Sequence, residues 1–116
     1  MASSALPTTE ILVVADCWQA EPGAEAVIDR AIAAAAEFVT TDVGESELAV
    51  MLTDDEGIRT LNRNWRGLDK PTNVLSFPAL QPQGVRKAGD APRMLGDIAI
   101  AYETTRREAE IGRAHV

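Results

Sequence analysis

The chain is 116 residues long, which favours one domain, and its 46% hydrophobic and 25% charged residues are ordinary for a soluble globular protein. Eleven Lys and Arg against 18 Asp and Glu leave a net charge of −7, which argues against coating nucleic acid by bulk charge but permits a local basic patch. The single cysteine, Cys17, excludes an internal disulfide and suits a reducing compartment, and nothing approaches the ~18 consecutive apolar residues of a membrane helix.

In chain order, residues 1–9 are small and polar and read as a flexible N-terminus. Ile11-Leu12-Val13-Val14 is a short, β-branched, bounded run, hence a strand. From Ala24 the pattern is helical, with Ile28, Ala31, Ile32, Ala35, Phe38 and Val39 at three- and four-residue steps, and Gly44 ends the segment. Glu47–Thr53 alternates as a half-buried strand, with Leu48, Val50 and Leu52 on one side. Thr53-Asp54-Asp55-Glu56 reads as a capping box with Thr53 at the N-cap. The helix it opens carries the stripe Ile58, Leu61, Trp65 and Leu68, and Gly67 suits the left-handed position after its last turn. Asn73–Phe77 is a third strand, closed by Pro78. Residues 79–94 hold Pro82, Gly84, Gly89 and Pro92 without periodicity and read as a mobile loop. Residues 95–101 form a fourth strand, and Thr104–Glu110 is helix-competent. The order β-α-β-α-β-β-α predicts an α+β fold with a small mixed sheet covered by helices.

Arg59, Arg63 and Arg66 share one helix face, apart from the apolar stripe, and Lys70 follows just beyond. Acids at 54–56 and arginines near the other end suit the helix dipole with no function attached. The same arginines could also form a phosphate-binding ridge, because guanidinium forks match phosphate oxygens. The turn Asp69-Lys70-Pro71-Thr72-Asn73 is explained in residue type, though not in order, by turn chemistry. Asp97 is unusual in a strand, and reads as an edge or strand-start residue or as a brace for a site. Cys17 beside Trp18 reads as core or near-core.

Residues 62–78, Asn-Arg-Asn-Trp-Arg-Gly-Leu-Asp-Lys-Pro-Thr-Asn-Val-Leu-Ser-Phe-Pro, resemble the YbeY family of bacterial endoribonucleases. Leu95-Gly96-Asp97-Ile98-Ala99-Ile100 matches a second family block in order and spacing, and the resemblance covers residues 10–110. It implies a cytoplasmic, zinc-dependent hydrolase of single-stranded RNA. It implies work in ribosomal RNA maturation at the small subunit and in ribosome quality control, with ribosomal RNA and the small ribosomal subunit as partners. Carried onto this sequence, Arg66 would be the catalytic arginine that holds the scissile phosphate. Arg63, Asp69, Lys70, Thr72, Asn73 and Ser76 would bind substrate, Asp97 would give structural support, and Trp65 would pack. A non-catalytic module that docks on RNA or the ribosome is the alternative.

The family's zinc motif, His-Gly-x-Leu-His-Leu-x-Gly-Tyr-Asp-His, places two histidines four apart on one helix face and a third after a glycine turn. It is expected after the third helix, where this sequence instead ends, and the sole histidine is His115. The metal-binding C-terminal helices are therefore expected to be missing, with no metal ligands and no stoichiometric zinc in this chain. Residues 111–116, Ile-Gly-Arg-Ala-His-Val, coincide with one reading frame of a common sequencing adapter and read as a non-native tail. A continuous genomic frame that encodes these six residues and then stops would refute that. Without the histidine helix, the Leu48-Val50-Leu52 face is expected to lose a cover, leaving the chain unstable or aggregation-prone.

Overall fold

A computed structural model describes residues 6–38, 45–78 and 93–114. Residues 1–5 of the N-terminal lead-in, Val39, Gly44, residues 79–92 of the expected loop, and His115 lie outside the described residues.

The expected order holds: β1 (Thr8–Val13), α1 (Ala24–Ala36), β2 (Ser46–Thr53), α2 (Asp55–Arg66), β3 (Val74–Pro78), β4 (Arg93–Ala101) and α3 (Tyr102–Ala114). A short 3-10 helix over Asp16–Ala20 is added between β1 and α1. The elements form one mixed four-stranded sheet in the order β1-β2-β4-β3. β1 and β4 run parallel to β2, and β3 runs antiparallel to β4.

β1 starts at Thr8, so part of the expected lead-in is strand, because Thr8 and Thr9 continue the ladder onto Glu47 and Leu48. Arg93 and Met94, assigned to the loop by sequence, likewise open β4 opposite Ser46 and Glu47. Between these pairs and the rest of the ladder lies a bulge: Glu47 faces Met94 but Leu48 faces Gly96, leaving Leu95 extra. Gly96 takes φ 144°, a conformation open to glycine and costly for other residues. Past the bulge, Asp97, Ala99 and Ala101 alternate onto the face that meets α2.

That face holds the core. Ile58 of α2 is 0% exposed and packs on Leu75, Ala99 and Ala101, with Met51, Leu61 and Phe77 around it. The small residues of β4 let the helix approach closely, and Ile58 fills the space they leave. On the other face, Val50 and Leu52 are each 1% exposed, and Trp18 meets Tyr102 edge to face at 5.2 Å. The Leu48-Val50-Leu52 face, expected to lose a cover, is instead buried at Val50 and Leu52 and half-buried at Leu48. The open row is the opposite one, where α2 sits over β4 and β3 and leaves Leu12, Met51 and Ala49 lining an apolar groove of about 430 Å³.

Two further expectations change. Thr53 stays in the ladder opposite Ala101, so the helix cap passes to Asp54, whose Oδ1 accepts the Gly57 N–H at 2.8 Å. A strand pairing held by β-branched Thr53 prevails over its use as a cap. The first turn is then shared with α3: Glu103 Oε1 accepts the Asp55 N–H at 2.8 Å, and Asp55 Oδ1 accepts the Thr104 N–H and hydroxyl at 3.1 and 2.7 Å. In α1 no residue is fully buried. Ile28 and Ile32 are half-buried, Ala31 and Ala35 are exposed, and Phe38 is 84% exposed. Phe38 lies past the last helical residue, Ala36, and its N–H donates to the Ala35 carbonyl at 3.1 Å.

Candidate functional site

The site residues gather at the C-terminal end of α2. Gly67 ends the helix at φ 72°, where a Cβ would be strained. Its N–H donates to the Arg63 carbonyl at 3.1 Å, and the Leu68 N–H donates to the Asn62 carbonyl at 3.3 Å. The chain reverses, and the buried Asn62 Nδ2 donates to the Lys70 carbonyl at 2.9 Å, tying the turn to the helix beneath it. Asn62 Oδ1 has no partner among the described residues.

Arg59 and Asp69 then pair in a fork. Nε and Nη2 donate to Oδ1 and Oδ2 at 2.8 and 3.3 Å, and Arg63 Nη1 lies 3.9 Å from Oδ1. The hydrogen bond from Arg59 holds the Asp69 carboxyl below the usual carboxylate range. Desolvation opposes this, and the charges of Arg59 and Arg63 reinforce it. Arg59 is in turn held more firmly protonated by the same bond. The three arginines are therefore not equivalent, and Asp69 is paired within the chain. Asp69 is a counter-ion, and it occupies Arg59 and partly neutralises Arg63. The exposed side chains of Arg66 and Lys70 meet no carboxylate among the described residues.

Asn73 closes the turn. Its Oδ1 accepts the Val74 N–H at 2.7 Å and faces the Thr72 hydroxyl at 3.5 Å. Its carbonyl accepts the Ala101 N–H at 2.9 Å, and its Nδ2 donates to Glu108 Oε1 at 2.9 Å. Sequence reasoning missed Glu108, which lies 35 residues away on α3 and carries no local signal.

Ser76 does not join the groove. It faces away from α2 between Leu75 and Phe77, and its strand partner is Ile98. Asp97 is neither at an edge nor at a strand start. It sits inside β4 between Ala49 and Phe77, and its exposed carboxylate lines the apolar groove beside Trp65. Trp65 packs edge to face on Phe77 at 6.0 Å yet is 72% exposed, so its packing is one-sided. Cys17 is half-buried, and burial first, then the charges of Glu103 and Asp54, push its thiol up, away from a reactive thiolate. Among the described residues no three His, Cys, Asp or Glu side chains come together as a metal site, so this donor set does not fit a zinc ion. No helix among them is long and apolar enough to cross a membrane.

The sequence model of the family described as "Endoribonuclease YbeY" matches residues 16–115, a span that contains this whole turn. The chain belongs to the YbeY endoribonuclease family. It is similar to the endoribonuclease YbeY of Bradyrhizobium diazoefficiens, with 79% identity over 105 residues, covering 90% of this chain and 57% of that protein. It is 72% identical over 110 residues to the endoribonuclease YbeY of a Bradyrhizobium species, covering 95% of this chain and 65% of that protein. With the endoribonuclease YbeY of Nitrobacter winogradskyi the identity is 76% over 109 residues, covering 94% of this chain and 57% of that protein. The chain thus spans about three-fifths of the length of these curated relatives.

Proposed function

We propose that this chain is part of an RNA endonuclease and that the end of α2, with the turn at residues 69–73, is the edge that grips the RNA backbone. One observation carries this reading. In a chain of net charge −7, Arg59 is occupied by Asp69, while Arg66 and Lys70 stand exposed with no carboxylate among the described residues. A free guanidinium at the end of α2, beside a pinned turn, suits a phosphate, which it can meet with two parallel N–H···O bonds. Arg66 would hold the scissile phosphate and offset charge developing on it, with Lys70 adding a second positive charge to the RNA path.

The family membership supports the finer reading: cytoplasmic, zinc-dependent, single-strand-specific cleavage in ribosomal RNA maturation at the small subunit and in ribosome quality control. The zinc would be held outside the described residues, whose donors do not fit it. The 116-residue chain by itself is proposed to be inactive, because the donors among its described residues do not fit a zinc ion.

The test is Arg66→Glu in the full-length protein, assayed for cleavage of single-stranded RNA and for association with the small ribosomal subunit. Cleavage is expected to fall more than tenfold. Retained subunit association would separate the cutting and docking surfaces. Unchanged cleavage would overturn the role of Arg66.

A further inference from the structure

The turn at residues 69–73 is held at both ends by different helices. At its start, Arg59 of α2 grips Asp69, and at its end Glu108 of α3 meets Asn73. The second contact sets an orientation as well as a position. The Asn73 amide has a donor end and an acceptor end, and both are used: Nδ2 on Glu108 at 2.9 Å and Oδ1 on the Val74 N–H at 2.7 Å. An ionised carboxylate only accepts. Turning the amide over would set Oδ1 against the Glu108 oxygen and Nδ2 against the Val74 N–H, producing two repulsive contacts in place of two bonds.

We propose that Glu108 is a positioning residue for the RNA-gripping turn. Its carboxylate fixes the Asn73 amide, which in turn fixes the start of β3 and the exit of the turn that carries Lys70. Thr72 and the Ala101 N–H join the same amide and carbonyl, so the exit of the turn and the junction of β4 with α3 are set together. The link to RNA cleavage rests on the proposed nuclease function, whereas the effect on Asn73 does not.

The experiment compares Glu108→Ala and Glu108→Gln in the full-length protein. It measures hydrogen exchange of the Val74 amide by NMR, and kcat and KM on single-stranded RNA. Glu108 is exposed on a helix and alanine is a strong helix former, so the fold is not at stake. Glu108→Ala is expected to speed Val74 exchange about fivefold and to lower kcat/KM about fivefold, the effect of losing one exposed hydrogen bond to a charged acceptor. Glu108→Gln keeps a carbonyl acceptor and should stay within about twofold of wild type in both. The proposal is overturned if Glu108→Ala leaves Val74 exchange unchanged, if exchange rises with kcat/KM unchanged, or if Glu108→Gln is as damaging as alanine. A full-length wild type that cuts no single-stranded RNA overturns the nuclease function alone, and Val74 exchange still decides the role of Glu108.

Discussion

Ile58 and Trp65 occupy the same apolar stripe of α2, yet truncating them should have very different costs. Ile58 is 0% exposed, against Leu75, Ala99 and Ala101. Ile58→Ala removes three buried carbons, worth about 2.4 kcal/mol in transfer at ~0.8 kcal/mol each, and leaves a cavity that backbone-close alanines cannot fill. The expected loss is about 3–4 kcal/mol, a sizeable share of the 5–15 kcal/mol typical of a domain. Trp65 is 72% exposed, and its one aromatic contact is the edge-to-face pairing with Phe77 at 6.0 Å. Trp65→Ala should cost about 1 kcal/mol. Urea unfolding of the 116-residue chain at low protein concentration, followed by far-UV circular dichroism, gives both numbers provided the m-values agree. A Trp65→Ala cost equal to that of Ile58→Ala would show the indole to be packed and the groove beside it to be closed, refuting the placement of α2 over β3 and β4 alone.

Other outcomes follow from the caps and the charges. Asp54→Ala should cost about 1 kcal/mol through loss of the bond to the Gly57 N–H, and more than Thr53→Val; the reverse order would return the cap to Thr53. The folded pKa of Asp69 lies below its unfolded value, so its clasp on Arg59 contributes stability present above the ordinary carboxylate range. That contribution is lost as the pH falls through the depressed value. An NMR titration of the Asp69 carboxyl carbon should show the low midpoint, and Arg59→Ala should move it up; a midpoint indifferent to Arg59 rejects the clasp as the cause. Gly67→Ala should cost about 1 kcal/mol in thermal or urea unfolding because its φ is 72°, and a neutral result would mean that the helix ends elsewhere.

Much of the site was legible because it is local. The Asn62–Pro78 block keeps helix end, left-handed Gly67, turn and strand within 17 consecutive residues, so its order could be read directly. Alternation in 47–53 gave β2, and Ile58 and Leu61 carried the helical period onto the core. Faces were harder to read. Ser76 and Asp97 looked like companions of Arg66, but strand alternation turns Ser76 away from α2, and the bulge before Gly96 sets where Asp97 points. A bulge shifts every residue beyond it by one, and its presence depends on the partner strand.

What the sequence determined alone is the order of strands and α-helices and the composition of the turn, because helix periods and strand alternation are written in neighbouring residues. Only the tertiary structure decided which charges remain available. Arg59, Arg63 and Arg66 are equivalent on a helical wheel, and the folding back of Asp69 onto the helix takes up the first, partly neutralises the second and leaves the third open. The same holds for Glu108 and Asn73, which are 35 residues apart and joined by a 2.9 Å bond. Pairings across that distance depend on how β4 and α3 pack, and no spacing rule within a single element encodes that.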